Sequence, residues 1–172
     1  MEEELRRIIL HRYTVKNPTD LILQNLPQSV VDTCYKCKLV QQRIGLAWEA
    51  APVFFGWDRG ENGIDLINHE TKQVVEVKNN AQTDNSSSRP RNYDELLEYT
   101  SAHPGYSAVY VIINDNTDKD VMKYDNRIRY VSGIHAMRVS FGEDSQIVIR
   151  ILKRLVTEFL TTSNLSNTNC NK

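Results

Sequence analysis

Apolar residues recur along the chain with two different periods, and the switch between them divides it. Over residues 2–13, Leu5, Ile8 and Ile9 return at helical spacing with Arg12 and Tyr13, which predicts a first helix. Asn17-Pro18-Thr19-Asp20 breaks that pattern and offers caps for a short helix over about 20–25. A long helix is expected from Gln28 to about Ala50. There Val30, Val31, Cys34, Leu39 or Val40, Ile44 and Trp48 keep close to a 3.6-residue period, with Pro27 and Ser29 suited to its start and Pro52 to its end.

From Val53 the pattern shortens. Val53 to Trp57 reads as a strand or turn edge, and Gly56, Gly60 and Gly63 punctuate a polar loop. Gly63–Ile67 and Gln73–Lys78 read as two strands around a turn of Asn68 to Lys72. A polar, serine-rich loop is expected from Asn79 to Asn92, then a helix from Tyr93 to Ala102 stopped by His103-Pro104-Gly105. Tyr106–Asn114 is a β-branched and aromatic run, a buried strand. A charged loop from Asp115 to Asp125 leads to a strand over Arg127–Ser132. A last helix spans Ser145–Leu160, with Ile147, Ile151, Leu155 and Phe159 at four-residue steps. Helices before, between and after strands predict an α/β fold with one central mixed β-sheet flanked by helices. The expected organisation is one domain over 1–161, with N-terminal helices over 2–50, a core over 53–132, the helix over 145–160, and a flexible polar tail over 162–172.

Composition narrows the class of protein. The 172 residues suit one domain of ordinary size. Twenty-one Lys and Arg against 22 Asp and Glu give a formal net charge of −1, which excludes a generally basic nucleic-acid binder and leaves room for one basic groove. No apolar run approaches the roughly 20 residues of a membrane helix. Cys34, Cys37 and Cys170 are too few for a disulfide scaffold and suit a reducing, cytoplasmic compartment. Cys34-Tyr35-Lys36-Cys37 has C-x-x-C spacing but lies in a helical pattern with no second ligand pair, so the two read as partly buried helix residues.

The informative stretch is 63–80. Alternate residues of a strand share a face, so Glu76 and Lys78 project together from an otherwise apolar strand. If the turn is centred between Glu70 and Thr71, Asp65 falls opposite Glu76, with Cβ atoms about 4.5–5.5 Å apart. Two carboxylates that close repel, and a hard divalent cation with oxygen ligands relieves the conflict. A slip of one residue would send Asp65 to the other face. Glu49, near the end of the long helix and on one face with Gln42 and Gly45, is the next candidate acid.

Gly63-Ile64-Asp65 followed by Glu76-Val77-Lys78 resembles the active-site motif of the PD-(D/E)xK nuclease superfamily, with Ile64 at the position of the proline. The longer run, Glu76 to Asn79, Thr83, Ser86 to Arg89 and Tyr93 to Leu96, is similar to a type II restriction endonuclease family with an E-x-K-N…T…S-S pattern. The resemblance implies a restriction-endonuclease-like core and Mg²⁺-dependent hydrolysis of double-stranded DNA at a short site, with Mn²⁺ as a possible substitute. It implies Asp65, Glu76 and the Val77 carbonyl as metal ligands, Lys78 as the residue that positions water, and Glu49 as an acid near the metal. It also implies a homodimer and a possible cognate DNA methyltransferase acting on the same site. Asn79, Asn80, Thr83, Ser86, Ser87, Ser88, Arg89 and Arg91 have the donors and charge for DNA contact. Other nucleases of the superfamily, or a non-cutting DNA-binding module of this fold, are the alternatives.

Overall fold

A computed structural model describes residues 1–11, 27–61, 63–80 and 88–165. Arg12, Tyr13, the expected helix over 20–25, Thr83, Ser86, Ser87 and Cys170 lie outside the described residues. The chain forms two compact units, one of residues 1–47 with 149–172, the other of residues 48–148.

In the first unit, α1 (Glu2–Ile9) places acids in its first turn and arginines in its last, complementing the helix dipole. Helix α2 (Gln28–Ala50) has the expected bounds and buries Val31 and Trp48 of the expected apolar positions, but not Val30 or Cys34. Val31 and Ala47 are buried, whereas Val30, Leu46, Cys34 and Cys37 are exposed. The two cysteines are therefore surface residues, not partly buried ones. Arg43, which the apolar pattern passes over, is 5% exposed. Its guanidinium donates to the carbonyls of Ile9, at 2.6 Å, and His11, and stacks 4.8 Å from the Phe159 ring. It satisfies carbonyl groups at and beyond the end of α1, which have no partners within the helix. Helix α5 (Ser145–Leu165) returns to this unit, with Leu155 and Phe159 buried.

The second unit is built on a six-stranded mixed sheet in the order β1-β2-β3-β4-β6-β5. Its strands are β1 (Asp58–Arg59), β2 (Leu66–Asn68), β3 (Gln73–Asn80), β4 (Ser107–Asn114), β5 (Asp120–Lys123) and β6 (Ile128–Ser132). Strands β3, β4 and β6 are parallel, and the outer pairings are antiparallel. Helix α3 (Ser88–Ala102) connects β3 to β4 and contacts both; α4 (Gly133–Phe141) follows β6 and contacts β4 and β6. The α/β class and the central mixed sheet are those expected. Ile67, Val74, Ala108, Tyr110, Ile112, Ile128 and Tyr130 form one apolar face with Tyr93 and Leu96 of α3. Among the described residues, no helix is long and apolar enough to cross a membrane.

Of the strand or turn edge expected over Val53–Trp57, the turn holds: Ala51–Phe55 is a 3-10 turn, with Pro52 at its start unable to donate to a ladder. Three expectations are corrected. Asn79 and Asn80 belong to β3, and α3 begins at Ser88 instead of Tyr93, so Ser88, Arg89 and Arg91 are helical. Pro90 does not prevent this, because N–H groups of a helix's first turn have no intrahelical partner to lose. The expected loop over 115–125 contains the edge strand β5, and α4 was not anticipated. The first helix ends at Ile9.

Candidate active site

The β2–β3 hairpin has the register that its turn implies. Leu66 pairs with Val75, Ile67 with Val74 and Asn68 with Gln73; Asp65 falls just before this ladder, with its carboxylate close enough to that of Glu76 to act on it. Asn68 sets the turn: its side-chain oxygen accepts from the N–H groups of Glu70 and Thr71, at 3.0 and 2.9 Å, and Lys72 closes it at φ 54°.

Asp65 lies just before β2, held by backbone on both sides. Its N–H donates to the Val75 carbonyl at 3.1 Å, and its carbonyl accepts from the Gly60 N–H at 3.0 Å. Its carboxylate accepts from the Val77 N–H at 2.7 Å. Gly60 has to be glycine, because a Cβ there would overlap the Ile64 carbonyl. Gly63, at φ +87°, sits against the Glu95 carboxylate of α3.

Glu76 is 4% exposed, in the middle of β3 beside Tyr110 of β4. One carboxylate oxygen accepts from the Lys78 ammonium; the other is buried and has no partner among the described residues. Burial, and then the Asp65 carboxylate, push the Glu76 carboxyl up to about 8, against the opposing pull of Lys78. Glu49, at the end of α2, is also raised, by burial first and then by Asp65, while Lys78 and Arg59 draw it down. The structure therefore brings Glu49, Asp65, Glu76 and Lys78 into one electrostatic cluster.

The fit to a divalent cation follows from the donors. Asp65 and Glu76 offer hard oxygen donors close to each other, and a buried carboxylate oxygen without a partner is what a divalent ion would satisfy. Among the described residues, no three His, Cys, Asp or Glu side chains are placed to share one ion.

The residues expected to contact DNA spread over two elements at the same end of β3. Asn79 accepts from the Asn114 amide at 2.7 Å across β3 and β4. Arg91 is exposed and pairs with Glu95 at 3.5 Å, and Ser88 and Arg89 open α3. Two basic residues further along the chain are engaged elsewhere: Arg129 makes a bidentate pair with Asp120, at 2.9 and 2.7 Å, and Lys123 lies 3.7 Å over the Tyr130 ring. Arg59 on β1, not singled out by any motif, acts on Glu49.

A family model described as Eco47II restriction endonuclease matches residues 37–151, the stretch that holds all of these residues. Neither the curated proteins nor the solved structures give a match.

Proposed function

Because the chain belongs to the Eco47II restriction endonuclease family, we propose that it is a type II enzyme that hydrolyses phosphodiester bonds of double-stranded DNA at a short specific site, using Mg²⁺ or, as a substitute, Mn²⁺. One observation carries the reading: the Asp65 carboxylate is tied to the Val77 N–H and acts on the Glu76 carboxyl, while Lys78, two residues on from Glu76, holds it from the same strand face.

In this reading Asp65, Glu76 and the Val77 carbonyl hold the cation, and Glu49 adds a carboxylate beside them. A bound divalent ion supplies positive charge at the scissile phosphate. Lys78 has three donors; with one on Glu76, the others can fix a water for in-line attack. The water oxygen bonds to phosphorus as the bond to the leaving sugar oxygen breaks, with no covalent enzyme intermediate. Asn79, Asn80, Ser88, Arg89 and Arg91, with Thr83, Ser86 and Ser87, contact the duplex. The start of α3 adds the electropositive end of a helix. Cutting both strands of a symmetric site calls for two copies of the chain about a two-fold axis, and a host carrying the enzyme would need a methyltransferase for the same site.

The test is incubation with plasmid DNA and Mg²⁺. Discrete fragments that disappear with Lys78→Ala support the proposal. Random nicking or smearing would instead indicate a less specific nuclease, and a gel shift of intact plasmid a binding module.

A further inference from the structure

The charge at the site presents a problem that Lys78 does not solve. Glu49, Asp65 and Glu76 bring three carboxyl groups to a place where a phosphodiester anion has to arrive. Lys78 is already bound to Glu76. A divalent ion would offset the charge at the scissile phosphate itself; a phosphate flanking it would need a cation of its own, near the acids but not consumed by them.

Arg59 meets both conditions. It lies on β1, paired with Leu66, the residue after Asp65. The next residue, Gly60, donates its N–H to the Asp65 carbonyl at 3.0 Å, and the Ile64 carbonyl packs against the Gly60 Cα. The backbone that carries Arg59 is thus fastened to the backbone that carries Asp65. Its side chain is exposed, and its charge reaches Glu49. Among the described residues it has no hydrogen-bond or ion-pair partner. A guanidinium has a planar fork of donors that matches two phosphate oxygens at once.

We propose that Arg59 binds a DNA backbone phosphate beside the Asp65–Glu76 pair and so anchors the strand to be cut. This rests on the nuclease reading above and names a substrate-binding residue for that site.

The experiment measures affinity for linear duplex DNA against salt concentration, with Ca²⁺ in place of Mg²⁺ to suppress cutting. The intact chain is compared with Arg59→Gln, Arg59→Lys and Arg127→Gln. Arg127 is a suitable control because it lines a cleft with Ser107 and Thr100, at the other end of β4 from the residue paired with Lys78. Arg59→Gln should weaken binding on the order of tenfold. It should also make the plot of log affinity against log salt shallower by about 0.9, the signature of one lost phosphate contact. Arg59→Lys should keep the parent slope, since the charge remains, and Arg127→Gln should match the parent. With Mg²⁺, Arg59→Gln should raise KM more than it lowers kcat. An unchanged salt slope in Arg59→Gln, with the parent binding normally, overturns this inference alone. A parent chain that neither binds nor cuts duplex DNA overturns it together with the nuclease reading.

Discussion

The Asp65 carboxylate accepts a hydrogen bond from the backbone N–H of Val77, the residue between Glu76 and Lys78. One acid of the pair is thereby tied to the strand that carries the other. A carboxylate kept within reach of a like charge needs such a restraint, since repulsion alone would swing it into solvent.

This bond separates two substitutions at one position. Asp65→Asn keeps an oxygen that can accept from Val77, so the fold should survive while Mg²⁺-dependent cleavage is lost. Asp65→Ala leaves a buried N–H without its partner, at a cost of about 1–3 kcal/mol. Thermal denaturation should show Asp65→Ala melting several degrees below Asp65→Asn, with both inactive on plasmid. Equal melting temperatures would remove the structural role given to this carboxylate.

Glu76 makes stability depend on pH in a particular direction. Its carboxyl is raised to about 8 in the folded chain, from an ordinary value of 4.5. Below 4.5 both folded and unfolded chains hold the proton, and the group is neutral towards folding. Between 4.5 and 8 the folded state binds more protons than the unfolded one, so stability falls as pH rises, and the loss is complete above 8. Glu76→Gln cannot ionise. It should melt like the parent near pH 4.5 and several degrees higher at pH 8.5, in the absence of divalent ions. A constant difference across that range would contradict the assignment.

Arg43 is a structural counterpart of the acids, a buried charge that organises its own unit. Arg43→Ala would leave the carbonyls of Ile9 and His11 without this donor and open space beside Phe159. The expected loss is about 2–4 kcal/mol in urea denaturation. The amides of α1 should then exchange hydrogen faster than those of β3 and β4. Exchange unchanged in α1 would argue against its capping role.

Two glycines allow a comparison of steric need with conformational need. Gly60→Ala would overlap the Ile64 carbonyl, so the segment leading into Asp65 must shift, and cleavage should drop by at least about a hundredfold, the scale set by small misplacements of reacting groups. Gly105→Ala meets nothing within 4 Å but occupies φ +96°. It should cost about 1–2 kcal/mol of stability and leave cleavage intact. Activity assays on both variants check the pair.

The legible parts of the fold were those coded by neighbours in sequence. The Asn68–Lys72 turn sets the register of β2 and β3, so the pairing of Leu66, Ile67 and Asn68 with Val75, Val74 and Gln73 could be worked out from spacing alone. The apolar run Ala108–Ile113 identifies β4 for the same reason. Strand β5 escaped because it is a four-residue edge with Val121 and Met122 exposed, and it reads as a charged loop. Helix α4 escaped because its start is stabilised from a distance: Asp118 accepts from the Ile134 N–H at 2.8 Å, across 16 residues. Gly133 supplies the positive φ on which the turn depends. Arg43 was invisible as a core residue because its partners, Ile9, His11 and Phe159, lie far away along the chain. The nearness of Glu49 to Asp65 likewise depends on tertiary packing, while Arg59 belongs to no motif and stands out only once β1 is paired.

Strands β3 and β4 run parallel, so the chain must leave β3 at the end where Lys78 sits and travel through α3 before it returns. Glu76 and Lys78 are locked in a ladder whose register tolerates no insertion. The segment that departs from them is a connection, and connections accept changes of length and composition at little thermodynamic cost. On the proposed nuclease reading, cutting chemistry and choice of target would therefore diverge at different rates in descendants of this chain. On that reading, changes in the residues after Asn80 would alter specificity and leave the β3–β4 ladder undisturbed.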